Sequence, residues 1–373
     1  MFGKIFKGHP TASTSAPRDV AEAERRVRGR GAREPDIWKR LADACADHGD
    51  LDGAFNAYRR YADLSPDDVD AALACGMAAR KAGALPESLD YFSRALALAP
   101  ERADAHTQYA KALDLAGLLE EALQHHDEAI AREPSSAEAR YHLGVTLARH
   151  GEDERAMEAY RTALEIDPKF ARAHGNLGVL LDRNGHFDRA VEELEKAVRL
   201  EPDRAEWHSN LGALYGEHKL YDLAIEHFTT ALGIDPRNAE ARFNLGIACL
   251  DRGLYDDAVA ELRRAADLAP RNAKAHFFLG EAYQKKGLYP RAVKEIRTAL
   301  EISPDSPRSY YALGCVYNKM DAVDDAITAF ERAIALDPSN GRAYYHLGIA
   351  YDKKGAGREA RDAYRRSEEL LAE

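Results

Sequence analysis

Proline returns every 34 residues through most of the chain: Pro66, Pro100, Pro134, Pro168, Pro202, Pro236, Pro270, Pro304 and Pro338. A fixed period of this length means stacked structural repeats, each unable to bury its apolar face alone. A chain of 373 residues would otherwise suggest two or three globular domains. The period implies instead one elongated array with a continuous core. With proline at repeat position 32, ten repeats follow a 34-residue N-terminal segment (1–34): 35–68, 69–102, 103–136, 137–170, 171–204, 205–238, 239–272, 273–306, 307–340 and 341–373.

Other columns define the inside of each repeat. Position 20 is always small, from Ala54 through Ser88 to Ala360, and so is position 8, with Ala42, Gly76 and Ala110 followed by glycines to Gly348. Small residues at both places allow two helices to approach closely. Position 15 is glycine in eight repeats, for example Gly151 and Gly253, which suits the left-handed residue that ends a helix. Pro86 and Pro290 fall in the first turn of the next helix, where a missing N–H costs nothing. The proline at position 32 stops that second helix. Each repeat therefore reads helix, short turn, helix, turn.

The ninth repeat carries Tyr310, Leu313, Gly314, Tyr317, Ala326, Phe330, Ala333 and Pro338; the sixth carries Leu211, Gly212, Tyr215, Ala224, Phe228, Ala231 and Pro236. These resemble the tetratricopeptide repeat (TPR) pattern of W-x2-L-G-x2-Y, then A-x3-F, then P. The first repeat has the tryptophan itself, Trp38, but departs at Ala42 and Cys45. The resemblance covers residues 35–373 and implies an all-α, right-handed superhelix, or solenoid, of ten 34-residue TPR units. It also implies a non-catalytic scaffold or adaptor that binds a protein or peptide in its concave groove. Self-assembly and service as a regulatory subunit of a separate enzyme stay open as alternatives.

Charge and motifs narrow the function. The formal net charge is −11, with +4 on residues 1–34 and −15 on the repeats. An acidic repeat body argues against nucleic acid, whose phosphates need a basic stripe. Cys45, Cys75, Cys249 and Cys315 fit neither a zinc motif nor a disulfide framework, and read as small apolar residues of a cytoplasmic protein. No apolar run reaches 18 residues, and Met1–Ala16 lacks a secretory signal's apolar stretch. No G-x-G-x-x-G, P-loop or G-x-S-x-G is present, so neither catalytic residues nor a cofactor are expected. His106, His174, His208 and His276 recur at position 4, one per repeat. Metal ligands on one helix would sit three or four apart, so packing is expected of them and no metal.

The ends differ. Position 21 is apolar in nine repeats and then Arg361; position 28 is apolar in nine and then Glu368. The last helix thus reads as a polar cap that disfavours end-to-end stacking. Residues 19–30 are expected to form a short helix covering the first repeat, with residues 1–34 otherwise flexible. Met1–Lys7, apolar and basic, holds too little apolar area for stable membrane insertion, leaving weak peripheral contact or a disordered tail.

Departures from the period locate the expected binding face. In the family the first helix of each repeat lines the concave face. Asn176, Asn210 and Asn244 stand at position 6 of three consecutive repeats, each in an Asn-Leu-Gly triplet. They resemble the asparagine ladder in the TPR superhelix of O-linked N-acetylglucosamine transferases, whose amides grip a peptide backbone; no glycosyltransferase domain follows here. An amide supplies donors and an acceptor that match a peptide group without reading side chains. Position 5 carries Tyr141, Phe243, Phe277, Tyr311 and Tyr345, an apolar channel if it faces the groove. Position 2 changes from Asp36, Asp70 and Asp104 to Lys274, Arg308 and Arg342, a gradient that would orient a partner's acidic end toward the C-terminal repeats. The Lys and Asn set used by TPR co-chaperones on acidic chaperone tails is not completed after Lys39.

Overall fold

The computed structural model describes residues 20, 22 and 33–372, and among residues 33–372 it contains twenty helices and no strand. The helices fall into two compact units that divide after Pro202. The first contains α1 (Pro35–Asp47), α2 (Leu51–Leu64), α3 (Val69–Lys81), α4 (Leu85–Leu98), α5 (Ala103–Leu115), α6 (Leu119–Arg132), α7 (Ala137–Arg149), α8 (Asp153–Ile166), α9 (Ala171–Arg183) and α10 (Phe187–Leu200). The second contains α11 (Ala205–Glu217), α12 (Tyr221–Ile234), α13 (Ala239–Arg252), α14 (Tyr255–Leu268), α15 (Ala273–Lys285), α16 (Tyr289–Ile302), α17 (Pro307–Lys319), α18 (Val323–Leu336), α19 (Gly341–Lys354) and α20 (Gly357–Ala372). In each unit, odd-numbered helices pair with the even-numbered helix that follows, and each pair packs on the next.

The turn inside a pair is set by one residue in the left-handed region. At the end of α15, Gly287 has φ +72; its N–H donates to the Gln284 carbonyl at 3.0 Å, and the next N–H, of Leu288, donates to Tyr283 at 2.9 Å. That double bond closes the orphan carbonyls of the last turn. The same turn is made without glycine by Lys219 (φ 62) and Asp321 (φ 55). The turn between pairs begins at the position-32 proline, and the following helix is capped by the residue at position 34 in several repeats. Asn238, for example, accepts from the Ala241 N–H at 2.9 Å.

The small residue at position 8 has a definite partner. A Cβ on Gly212 would lie 2.9 Å from the ring of Phe228, and one on Gly314 would lie 2.6 Å from that of Phe330. Phe228 and Phe330, both at position 24, are fully buried. The glycine thus makes room for the second helix's large side chain rather than for backbone contact, and each such ring contributes ~1.5–3 kcal/mol by leaving water. Position 20 does hold the backbones close: Ser88 donates its hydroxyl to the Gly76 carbonyl at 2.8 Å.

The position-4 side chains do more than pack. His276 places Nε2 3.2 Å from the Pro270 carbonyl and Nδ1 2.8 Å from Glu295 on the partner helix. His174 repeats this with Pro168 and Glu193, and Arg242 with Pro236 and Glu261. They tie the preceding turn to the second helix of their own repeat. No group of three or more metal-type side chains forms among the described residues.

At the C-terminal pair, Ala360, Ala363 and Ser367 of α20 are buried, whereas Arg361 and Glu368 are exposed. Among residues 1–34, Val20 is helical and partly buried against Leu41, Ala42 and Cys45. The Met1–Lys7 segment and the rest of the expected 19–30 helix, apart from Glu22, lie outside the described residues. No described helix is long and apolar enough to cross a membrane.

Candidate functional site

In the second compact unit, three phenylalanines and two bases converge on one cavity of about 320 Å³. Phe243 comes from α13, Phe277, Phe278 and Lys274 from α15, and Arg308 from the first turn of α17. Phe278 is the hub: Phe243 meets it at 5.7 Å and Phe277 at 5.3 Å between ring centroids, both edge-on. Edge-on rings leave a face uncovered. The Arg308 guanidinium lies over Phe277 at 4.6 Å and over Phe278 at 5.1 Å. Ser303, Ser306 and Ser309 line the remaining side, Ser306 being the cap of α17.

Carboxylates stand behind the arginine. Arg308 lies 3.3 Å from Glu281. Burial raises the Glu281 carboxyl above its ordinary range, with Arg308 acting in the opposite sense, and burial likewise raises Asp251. The cavity therefore has apolar walls and a basic rim. This suits an apolar side chain carried on a chain that can also offer polar or acidic groups.

Of the residues expected to bind, Phe243, Phe277 and Arg308 are brought together here. Tyr311, Tyr345 and Arg342 are not part of the cavity. Tyr311 packs on Phe330 and His346, at 6.0 and 5.7 Å. Tyr345 is half exposed and Arg342 exposed. The amides are placed differently from an open ladder. Asn210 is 4% exposed and Asn244 1%. The buried Oδ1 of Asn210 has no hydrogen-bond partner. In the first compact unit, Asn176 donates Nδ2 to the hydroxyls of Tyr141 and Tyr160, each at 3.3 Å. The two tyrosine hydroxyls thus occupy the Asn176 amide. Tyr141 is itself buried against Phe170 at 4.9 Å, under the guanidinium of Arg172 at 5.1 Å.

The acidic and middle part of the position-2 column is paired within the fold. Arg102 bridges Asp70 and Asp104, Arg172 pairs with Glu138 at 2.9 Å, and Arg204 with Glu206 at 2.9 Å. Local ion pairs thus offset the charge of that part of the column. Cys75 and Cys249 are buried, and burial pushes both thiols up to about 12, which removes thiolate reactivity.

Neither the hub role of Phe278 nor the part-buried basic pair of the first compact unit, Arg80 and Lys111, stands out in the repeat columns. The signal for the latter pair was present as a spacing of 31 residues, Arg80 to Lys111 to His142. That offset is visible only against a known packing of neighbouring first helices.

The paired helices, the left-handed turn residue and the glycine–ring contact define a helical-hairpin repeat protein. The chain belongs to the tetratricopeptide-repeat family: models of that repeat match residues 35–78, 127–169, 154–214, 213–273, 243–307 and 322–355. Members of this class generally serve as protein-interaction scaffolds rather than catalysts. Among solved structures, the Cut9–Hcn1 hetero-tetramer of the APC/C is 16% identical, covering 85% of this chain and 76% of its own, with a TM-score of 0.53. It shows the fold alone, an all-α superhelical array. A crystal structure of MamA is 31% identical, covering 43% of this chain and 95% of its own, with a TM-score of 0.42. YrrB, described as a TPR protein with an unusual peptide-binding site, is 24% identical, covering 50% of this chain and 96% of its own, with a TM-score of 0.45. A search of curated proteins found no match.

Proposed function

We propose that this protein is a non-catalytic scaffold or adaptor that holds a segment of another protein on its first helices. An apolar side chain of that segment is seated in the Phe243–Phe277–Phe278 cavity. The observation that carries the reading is the cavity itself. Three aromatic side chains from two successive first helices leave about 320 Å³ open, with Arg308 and Lys274 at its edge. An apolar recess with a few polar groups at its rim gives affinity through burial and orientation through the rim. Asn176, Asn210 and Asn244 act in this reading chiefly by fixing the first helices. A role for the Asn176 amide toward a partner requires it to leave the hydroxyls of Tyr141 and Tyr160, and Asn210 and Asn244 would first have to be exposed.

The test is a selection of random displayed peptides on the full-length chain, repeated with Ser303→Trp. Ser303 is exposed at the cavity's edge, so the indole fills the recess without disturbing a buried contact. Wild type should enrich peptides sharing one large apolar residue, and Ser303→Trp should weaken them tenfold or more with unchanged melting. Equal binding by the plugged variant, or no enrichment on wild type, would refute the reading.

A further inference from the structure

Three first helices of the first compact unit carry basic side chains along one diagonal: Arg80 on α3, Lys111 on α5 and His142 on α7, 31 residues apart. The offset is one repeat less almost one helical turn. Helix α3 packs on α5 and α5 on α7. Nη2 of Arg80 donates to Oε1 of Gln108 at 3.2 Å. Gln108 precedes Lys111 by one turn of α5, so this bond sets the guanidinium beside the lysine. Nζ of Lys111 lies 3.2 Å from Nε2 of His142, which also lies 3.0 Å from Oε1 of Glu138. One ring nitrogen cannot accept from the ammonium and donate to the carboxylate together.

The charges here do not balance. Glu138 is already shared with Arg172, while neither Arg80 nor Lys111 has an ion pair among the described residues. Nε of Arg80 is buried without a hydrogen-bond partner. Burial and then the neighbouring Arg80 push the Lys111 ammonium down to about 8. Behind it, burial and the neighbouring His142 and Lys111 push His126 down to about 3. Two part-buried cations, with only the already paired Glu138 acting on Lys111 from nearby, are costly, and the cost falls when a further anion arrives.

We propose that Arg80, Lys111 and His142 form a receiving site for one carboxylate, supplied by an acidic side chain of the bound segment. The planar edge of the guanidinium matches a carboxylate, and the ammonium adds a point charge. A doubly charged phosphate would be repelled by Glu138 more strongly than a single carboxylate. The proposal rests on the reading that the first helices hold a partner segment. Its location is separate from the aromatic cavity, and its test needs no partner.

The experiment follows the side-chain signals of Lys111 by NMR in the lysine-labelled full-length chain, assigned with Lys111→Arg. N-acetyl-aspartate amide, which carries one side-chain carboxylate, is titrated at constant ionic strength against its neutral isostere N-acetyl-asparagine amide. Inorganic phosphate forms a third arm. The charged probe should shift Lys111 saturably and raise its titration midpoint by ~1 pH unit or more. The neutral amide should do neither. Arg80→Met should weaken the response at least tenfold, and Arg80→Lys, which keeps the charge and loses the planar edge, by less; circular dichroism checks the fold of both. Absence of a saturable shift, equal response to the neutral amide, or tenfold preference for phosphate would each overturn the assignment. Any of these leaves the Ser303→Trp test untouched, so the two readings fail separately.

Discussion

Exchanging residues between two copies of one turn isolates the energy of a single backbone dihedral. Lys219 and Gly287 occupy the same place, after α11 and after α15, with φ of 62 and 72. Their bonds are the same: N–H of Lys219 to Gly216 and of Leu220 to Tyr215, and N–H of Gly287 to Gln284 and of Leu288 to Tyr283. A side chain in the left-handed region costs ~1–2 kcal/mol. Glycine recovers that but loses ~0.5–1 kcal/mol more chain entropy on folding. Lys219→Gly should therefore stabilise its pair by ~0.5–1 kcal/mol. Gly287→Lys should destabilise its pair by the same amount, because a Cβ there meets nothing within 4 Å and the effect is purely conformational. A long repeat array does not unfold in one step, so the readout is local amide hydrogen exchange rather than a global transition. The difference amounts to about a threefold change in the exchange of the pair concerned. Slower exchange is expected across α11–α12 in Lys219→Gly and faster exchange across α15–α16 in Gly287→Lys. A neutral Gly287→Lys, or a loss of protection in Lys219→Gly, would refute the view that φ alone dictates glycine at this position.

Gly212→Ala should cost ~1–3 kcal/mol by driving a methyl into the Phe228 ring, read as faster amide exchange across α11–α12 with unchanged helicity. A neutral result would mean that the ring has room to retreat. His126 is held neutral with its pKa lowered to about 3, first by burial and then by His142 and Lys111. Its folded pKa lies below its unfolded value of ~6.5, so its contribution is complete above that pH and is lost as pH falls toward the folded value. The loss is ~1.4 kcal/mol per pH unit inside that window. His126→Leu should flatten the fall in local protection across α5–α6 between about pH 6 and 4, measured by amide exchange corrected for its intrinsic pH dependence, and an unchanged slope would count against the buried neutral ring. Arg361→Val with Glu368→Leu converts the exposed face of α20 to apolar and should cause concentration-dependent association in sedimentation; a strictly monomeric double variant would show that this face does not set the limit.

The pairing of helices was legible in the sequence because its causes are local. Proline at position 32 removes a donor, the residue at position 15 must reach positive φ, and position 8 must leave space for whatever stands at position 24. Each recurs with the period and is met inside one repeat, at position 15 by glycine in eight repeats and by Lys219 and Asp321 in the other two. The tertiary structure decided what the first helices present. Asn210 and Asn244 share a column that looked open, yet both are covered, because exposure depends on the neighbouring helix rather than on position in the repeat. Phe243 and Phe278 meet across 35 residues, and Arg80, Lys111 and His142 align at intervals of 31. Neither distance equals the repeat length. Helices that pack side by side are displaced by a fraction of a turn, so the side chains that converge come from different columns. The period fixed the architecture of each repeat; the displacement between neighbouring helices decided which residues meet at the cavity and at the basic diagonal.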